Sequence, residues 1–419
     1  MVKSKSSASP GFLHRCRQLP PTVFALSVVS FLNDTSSEII YPLLPAFLAL
    51  TLGATPFAIG LIEGFAESVA SILKLFSVYL SDKFGNRKLP VFLGYSLAAV
   101  VRPLLSFVTS WPQVLVVRMT DRIGKGIRGA PRDALIAASV SKENRGFAFG
   151  FNRAADHAGA VVGPVIGFLL LTLIAANSDN PTAREYQQVF LFASIPVAIG
   201  LFVIVFFVRE KRKVVDEIGT LPIKFSLRAF DSNFRRFLAI IALFTLSNST
   251  DAFLLLRAQE AGVSPPLLPL LWMVLHFSKV LSSLAGGILS DRVGRKVLIA
   301  SGWVVYALVY AGFAFVDAPW QAWALFIVYG TYFGLTEGAE KALVADLVDD
   351  DKRGTAFGFY NLAFGITVFP ASLIFGLLWD KFGSATAFLA SAFVSIIAAA
   401  AILTIKTPNR EARRTVREV

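Results

Sequence analysis

Twelve long apolar stretches dominate this 419-residue chain and leave it few ways to fold. Hydrophobic residues make up 55% of the sequence and charged residues 16%, whereas soluble domains carry about 25% charge. A helix needs roughly 20 apolar residues to cross a bilayer. The chain is therefore predicted to be an all-α, polytopic membrane protein with twelve transmembrane helices. Their approximate positions are 22–50, 56–80, 90–109, 112–139, 146–175, 187–208, 236–256, 266–289, 297–316, 320–346, 354–378 and 385–405.

Short motifs recur about half a chain apart. The segment SDKFGNRK at 81–88 returns as SDRVGRK at 290–296, an offset of 209 residues. At an offset of 208, RGFAFGF at 145–151 returns as RGTAFGF at 353–359, and ALIA at 134–137 returns as ALVA at 342–345. In an apolar chain, such a duplication predicts two pseudo-symmetric halves of six helices each and is typical of secondary transporters.

Basic residues predict the orientation in the membrane. Lys and Arg gather in the loops after spans 2, 4, 6, 8 and 10 and in both tails, whereas the loops on the other side are almost uncharged. Because short basic loops stay in the cytoplasm, we expect both termini to be cytoplasmic, in a bacterial inner membrane. The predicted organisation is a tail at 1–21, a first half at 22–208, a cytoplasmic linker at 209–235, a second half at 236–405 and a basic tail at 406–419.

Several classes of protein are disfavoured. The net charge of +12 sits at span ends rather than on a soluble face, so nucleic acid is not an expected partner. The single cysteine, Cys16, rules out an internal disulfide, and the three histidines lack the spacing of a metal site. Nucleotide-binding loops and hydrolase motifs are missing from the sequence. We therefore expect no cofactor, no metal and no enzymatic activity, but the movement of a small molecule with the energy of an ion gradient.

The duplicated loops resemble the signature G-x-L-A-D-R-x-G-R-R of the major facilitator superfamily, which lies between spans 2 and 3 and again between spans 8 and 9. The second copy, at 287–296, fits at almost every position, whereas the first departs at Val78 and Asn86. In that family the loops control the switch between conformations. The resemblance implies such a role for Asp82, Gly85, Arg87, Asp291, Arg292, Gly294 and Arg295.

A second resemblance lies in span 5, where the glycine pattern is similar to the signature of antiporters in that superfamily. The matching residues are Gly150, Gly159, Gly163, Pro164 and Gly167. Pro42 and Pro45 are similar to the P-x-x-P ending of span 1 in twelve-span drug/proton antiporters. The resemblance implies an exporter, and tight helix packing is a second interpretation of the glycines that is compatible with the first.

Ionisable residues inside the predicted spans are functional candidates, because each costs about 3 kcal/mol or more when it faces lipid. Acidic side chains on helical stripes, together with one neighbouring histidine, are candidates for proton coupling. They are Asp34, Glu38, Glu67, Asp156 and His157. Other polar residues in the spans are candidates for substrate binding. They are Asn33, Glu63, Lys74, Arg118, Arg122, Lys125, Arg153, Asn248, Asp251 and His276.

Span 4 is the most polar of the twelve. By resemblance, Arg118 stands where the superfamily usually has an arginine that influences proton transfer, and Arg122 fits a related pattern one turn later. Glu340 and Lys341 lie 208 residues after Arg132 and Asp133, so the halves present opposite charges at matching places. Arg132 with Glu340, or Asp133 with Lys341, is predicted to close a cytoplasmic gate; ordinary ion pairs at the helix ends are the alternative.

The favoured function is proton-coupled export, by antiport, of a small organic solute or drug through alternating access of the two halves. An excess of basic residues in the spans leaves a second interpretation open, in which an anionic metabolite or siderophore is imported or exported. A third interpretation is a membrane receptor or scaffold that transports nothing. Switch-like loops in both halves disfavour the third.

Overall fold

The computed structural model describes residues 19–84, 87–141, 144–177, 179–210, 226–349 and 352–406. Twelve membrane-length helical segments run through these ranges. They are α1 (Pro21–Ile40), α2 (Pro56–Phe84), α3 (Lys88–Val101), α4 (Trp111–Ser139), α5 (Arg145–Ile174), α6 (Ala183–Phe207), α7 (Ser232–Ser247 with Ala252–Glu260), α8 (Leu268–Val293), α9 (Arg295–Ala314), α10 (Pro319–Asp346), α11 (Arg353–Phe382) and α12 (Ser384–Leu403). The predicted all-α, twelve-helix architecture is confirmed. Most of both predicted tails and of the linker lies outside the described residues.

Ten of these helices are long and apolar enough to cross a membrane. Only α4 and α10, among the twelve described, fall short of that hydropathy. Charged side chains in α4 and polar aromatic side chains in α10 lower it, and both helices are largely shielded by their neighbours α2, α3, α8 and α9. The chain is thus an integral, multi-pass membrane protein.

Three of the helices are irregular near the middle or the end of their path. Pro42 and Pro45 convert the end of α1 into a 3-10 turn at Tyr41–Leu43 and a π turn at Phe47–Thr51, because proline cannot donate a backbone hydrogen bond. Helix α3 continues as a 3-10 helix over Arg102–Phe107. Helix α7 is interrupted between its two parts. Interrupted helices in membrane transporters place free polar groups at binding sites.

The two halves have the same internal packing. Helix α1 packs on α5 and α6, and α2 and α3 pack on α4; in the second half α7 packs on α11 and α12, and α8 and α9 pack on α10. The repeated motifs make equivalent contacts: the Arg145 Nε donates to the carbonyl oxygen of Ala137, and the Arg353 Nε donates to that of Ala345, both over 3.3 Å. The duplication seen in the sequence is therefore present in the side-chain contacts.

The halves meet mainly through α2 against α11 and α5 against α8. We call the end of the bundle that carries Leu19 and Lys406 the terminal end and the opposite end the distal end. At the distal end the backbone N of Phe57 donates to Asp380 over 3.1 Å, and near the middle the Ser68 hydroxyl donates to the Gly365 carbonyl over 2.6 Å. Between pairs of described residues, no hydrogen bond or ion pair joins the halves closer to the terminal end. Toward that end, charged side chains on facing helices, such as Lys74 of α2 and Arg153 of α5, are exposed, and from this we infer a central cavity between the halves.

Candidate functional site

A buried ion pair joins α2 to α4. The Arg118 guanidinium donates to both carboxylate oxygens of Glu63, over 2.8 and 2.5 Å, and each residue is only 5% exposed. The guanidinium carbon also lies 5.6 Å from the ring centroid of Tyr41. Two parallel hydrogen bonds make such a pair strong and directional. Arg118 and Glu63 thus satisfy each other's hydrogen bonds, and the pair joins α2 to α4.

Asn33 is the centre of a second buried network. The Arg102 guanidinium donates to the Asn33 carbonyl oxygen over 3.0 Å, to its amide oxygen over 3.1 Å and to Asp121 over 3.0 Å. The Arg128 guanidinium donates to the same amide oxygen over 3.3 Å. Asn33, a candidate for substrate binding, thus links α1 to α4 and to the turn after α3. The sequence analysis did not select Arg102 as a candidate, although a single arginine in an apolar stretch is a reason to expect a buried polar contact.

Two basic side chains farther along α4, Arg122 and Lys125, have longer contacts with carboxylates than Arg118 has. Arg122 lies 3.6 Å from Glu67 of α2. Lys125 is exposed and has no carboxylate within 4.0 Å among the described residues, although Glu67 and Asp34 lie within electrostatic range. Asp34 accepts a hydrogen bond from the Asn33 amide over 3.0 Å. The structure therefore brings Asp34, Glu67 and Arg122 into the neighbourhood of the Lys125 ammonium group.

Glu38 connects the two halves. Its carboxylate accepts a hydrogen bond from the Trp272 indole N–H of α8 over 2.7 Å and lies 4.0 Å from His276 Nε2. The ring of Trp272 also packs on Tyr41, with 4.9 Å between centroids. No Lys or Arg lies within 4.0 Å of Glu38 in the described part of the chain. The structure thus brings together Glu38 and His276, which the sequence analysis assigned to different roles.

Asp156 of α5 lies between two arginines. Its carboxylate oxygens are 3.7 Å from Arg132 and 3.9 Å from Arg153. Arg132 also donates to Ser30 over 3.0 Å and to Asp133 over 3.1 Å. The predicted neighbour His157 is exposed and has no described hydrogen bond. Asp156 therefore meets an arginine of α4, and His157 takes no part in a described contact with them.

The predicted gate pairs are not formed in this structure, because each member has a partner within its own half. Arg132 pairs with Asp133 and Asp156 as described above. Glu340 accepts hydrogen bonds from the Tyr360 hydroxyl over 2.6 Å and the Trp303 indole over 3.2 Å, and Lys341 donates to Glu337 over 3.0 Å. At this end of the bundle, the described residues form hydrogen bonds and ion pairs within each half and not between the halves.

The second half packs buried tyrosines against the break in α7. The Tyr329 hydroxyl donates to Asp251 over 2.7 Å, and the Asn248 amide donates to the Tyr332 hydroxyl over 3.2 Å. The Tyr306 hydroxyl donates to the carbonyl oxygen of Ser247 over 2.6 Å. These tyrosines satisfy polar groups that the break exposes. Sequence analysis identified Asn248 and Asp251 but missed the tyrosines, because hydropathy counts them with the apolar residues.

The predicted switch loops are described in part. Arg87 donates to the Ala134 carbonyl oxygen over 3.3 Å, and Arg295 donates to the equivalent carbonyl of Ala342 and pairs with Asp346. Gly294 has φ of +94°, a conformation that favours glycine in the tight turn between α8 and α9. Arg292 is exposed. Gly85 and the side chains of Asp82 and Asp291 lie outside the description.

The glycines of α5 serve close helix packing. A Cβ added at Gly159 would lie 2.6 Å from the Phe31 carbonyl oxygen, and one at Gly163 would lie 2.7 Å from that of Thr35. Gly167 faces Ile39 at 3.2 Å, whereas Gly150 faces open space. Pro164 is accommodated within the helix. The packing interpretation thus accounts for the three glycines that face α1.

Two pseudo-symmetric six-helix halves around a charged central cavity define a secondary transporter, not an enzyme. A family model described as Major Facilitator Superfamily matches residues 26–369 and 236–418. The chain belongs to this superfamily, as its loop motifs predicted.

Relatives of known sequence support the same class. An uncharacterised transporter of the superfamily from Methanocaldococcus jannaschii is 35% identical, over 93% of this chain and 96% of its own length. The multi-drug resistance efflux pump PmrA of Streptococcus pneumoniae is 23% identical, over 80% of this chain and 83% of the pump. The multidrug resistance protein MdtG of Citrobacter koseri is 24% identical, over 80% of this chain and 82% of its own length.

Solved structures share the fold. The nucleoside transporter NupG superposes with a TM-score of 0.78 at 15% identity, covering 92% of this chain and 99% of NupG. A D-xylose-proton symporter superposes with a TM-score of 0.72 at 13% identity, covering 95% of this chain and 98% of the symporter. At such identities the likeness concerns the architecture alone.

Proposed function

We propose that this transporter is a proton-coupled antiporter that exports a small organic solute across the inner membrane of a bacterium. The terminal end is cytoplasmic, and residues 22–208 rock as a monomer against residues 236–405. The similarity to PmrA and MdtG supports export. The basic loops support the orientation.

The link between Glu38 and Trp272 is the observation that carries this proposal. Glu38 lies in the membrane region, is hydrogen-bonded by a neutral donor of the opposite half, and has no Lys or Arg within 4.0 Å among the described residues. A charged carboxylate accepts a stronger hydrogen bond than a protonated one. Proton binding to Glu38 therefore loosens the contact between the halves, and proton release restores it. This dependence couples protonation to rocking.

The other acidic candidates have different surroundings. Asp156 is held by two arginines, and Glu67 is held by Arg122 and lies near Lys125. A proton that binds either of them must compete with a guanidinium. In this proposal Glu38 carries the transported proton, and Asp34, Glu67 and Asp156 set the electrostatic potential of the cavity.

Solute-driven proton movement in sealed proteoliposomes tests the mechanism. A pH-sensitive dye inside reports protons while cationic drugs, organic acids and siderophores are supplied outside. Glu38→Gln should retain solute exchange between the two sides but abolish proton flux opposite to solute. Glu260→Gln, at the distal end of α7, is the matched control and should behave as wild type.

Two results would contradict the proposal. Normal proton flux in Glu38→Gln, with loss in Asp34→Asn or Asp156→Asn, would move the proton to another carboxylate. Solute flux without any proton movement in the wild type would exclude antiport with protons and indicate a facilitator.

An anionic cargo is the second candidate, because two basic side chains face the cavity without a close carboxylate. Lys74 and Lys125 are exposed, and neither has an acidic partner within 4.0 Å among the described residues. Such a surface suits an anionic metabolite or siderophore, imported or exported. Uptake of a labelled anion that is lost in Lys125→Gln, while resistance to cationic drugs is unchanged, would favour this candidate.

A further inference from the structure

Five basic side chains on α2, α4, α5, α8 and α10 lie near one another between the middle of the bundle and its terminal end. The first half supplies Lys74, Arg132 and Arg153, and the second half supplies Lys279 and Lys341. We call these five residues the basic mouth. Their exposed fractions reach 70% for the Arg153 side chain and 52% for that of Lys341. The carboxylates among them are Asp133, Asp156 and Glu337.

Positive charge in the basic mouth exceeds negative charge. Lys279 and Lys341 share one carboxylate, Glu337, at 3.8 and 3.0 Å. Arg132 and Arg153 share Asp156, and Arg132 also pairs with Asp133. Lys74 has no carboxylate within 4.0 Å in the described part of the chain. Five cations and three carboxylates give a net charge of +2, and Lys74 has Asp133 within electrostatic range but not within 4.0 Å.

This excess lies on both sides of the opening. Lys74 of the first half is within electrostatic range of Lys341 of the second half and of Arg153. Arg153 in turn is within electrostatic range of Glu337 across the opening. When the halves rock together at this end, Lys74 and Lys341 approach each other, and their repulsion increases as the intervening water leaves. Closure of an empty cavity is therefore opposed.

We propose that the basic mouth binds an anionic group of the transported solute, a carboxylate or a phosphate, and that this anion permits the terminal end to close. Lysine supplies adaptable point charges and arginine a planar fork that fits either anion. The bound group neutralises the excess charge, so it favours the closed state over the open one. The inference rests on alternating access in the proposed function and adds the substrate class.

Distance measurements between spin labels test this directly in the full-length protein. Gly146 and Gly354 are equivalent, exposed positions at the starts of α5 and α11, and a side chain at either meets open space. After Cys16→Ser removes the only native cysteine, labels on Gly146→Cys and Gly354→Cys report closure as a shorter distance. The protein is held in nanodiscs of phosphatidylcholine, and citrate or pyrophosphate is added against chloride at equal ionic strength.

We expect citrate or pyrophosphate to raise the short-distance fraction about threefold or more, a change that chloride does not produce. Neutralising the mouth with Lys74→Gln and Lys341→Gln should raise that fraction without any anion and abolish the response. Lys381→Gln, exposed at the distal end, is the matched control and should respond as wild type.

Three outcomes would overturn the inference. Equal shifts with chloride would show screening alone, and unchanged distances in the neutralised variant would show that repulsion does not control closure. Closure that occurs only when phosphatidylglycerol is included would assign the site to a lipid headgroup instead of the solute. Proton flux that depends on Glu38 would survive each of these outcomes, so the proposed function and the anion site can fail separately.

Discussion

The first half of the transporter holds its interior together with ion pairs, whereas the second half uses aromatic rings and hydroxyl groups. Buried arginines of the first half pair with carboxylates on neighbouring helices. The pairs are Arg118 with Glu63, Arg102 with Asp121 and Arg122 with Glu67. The equivalent region of the second half contains four stacked or tilted tyrosines. They are Tyr306, Tyr310, Tyr329 and Tyr332.

This difference shows what the internal duplication has preserved. Contacts to backbone carbonyls are kept in both halves, as Arg145 with Ala137 and Arg353 with Ala345 illustrate. Contacts between side chains have diverged: Arg132 binds carboxylates, while its counterpart Glu340 binds Trp303 and Tyr360. The arrangement of helices is thus the same in both halves, whereas the distribution of charged side chains differs between them. The carboxylates that we propose for proton coupling lie in the first half.

Breaking the pair between Arg118 and Glu63 should have the largest effect on stability. Glu63→Gln leaves a buried guanidinium without its carboxylate, so we expect the free energy of unfolding to fall by about 3 kcal/mol or more. Unfolding in mixed detergent micelles measures this loss. The double variant Glu63→Met with Arg118→Met should lose less than Glu63→Gln alone, because no charge stays buried. A double variant that is less stable than the single one would show that the pair itself stabilises the first half.

Close packing of α1 on α5 should give the next largest effect. Gly163→Ala places a methyl group against the Thr35 carbonyl oxygen, so we expect a loss of about 1 to 3 kcal/mol. Gly150→Ala, in the same helix and motif, faces open space and is the matched control. Thermal unfolding of the two variants compares them. Equal stability of both would mean that α1 moves aside freely, which would contradict close packing as the role of Gly163.

The twelve helices were predictable because apolar length is a local property of the chain. The partners of the α4 arginines were not, since they depend on which helices become neighbours after folding. Arg102 shows the limit most clearly: it stands alone in an apolar stretch, yet it joins Asn33 and Asp121. The repeat placed Arg132 and Glu340 at equivalent positions, but the distance between the halves decides whether they meet. In the proposed alternating access that distance changes during transport, and no motif encodes it.

Hydroxyl groups of the second half should contribute less per residue than the ion pairs of the first. Tyr329→Phe removes the hydrogen bond to Asp251, and we expect a loss of about 1.5 kcal/mol because the acceptor is a carboxylate. Tyr310→Phe is the matched control, since its hydroxyl is hydrogen-bonded to other hydroxyl groups, Ser249 at 3.5 Å among them, and to no carboxylate among the described residues. Unfolding in detergent compares the two. A loss in Tyr329→Phe as large as that in Glu63→Gln would remove the proposed contrast between the halves.

The smallest effect should come from a helix start that the two halves stabilise differently. In the first half, the Glu210 carboxylate accepts hydrogen bonds from the backbone N–H groups of Arg87 and Lys88 over 2.9 to 3.1 Å, at the start of α3. The equivalent helix α9 begins after Gly294 without a side-chain cap. A carboxylate at a helix N-terminus stabilises it by about 0.3 to 1 kcal/mol.

Glu210→Gln should therefore speed hydrogen exchange in the first turn of α3 by about fivefold or less and leave the first turn of α9 unchanged. The increase should shrink at high salt, because the interaction is electrostatic and lies at the bundle end. Equal changes in both helices would mean that Glu210 stabilises the whole bundle instead of one helix start, and the asymmetry between the halves would then not extend to this end.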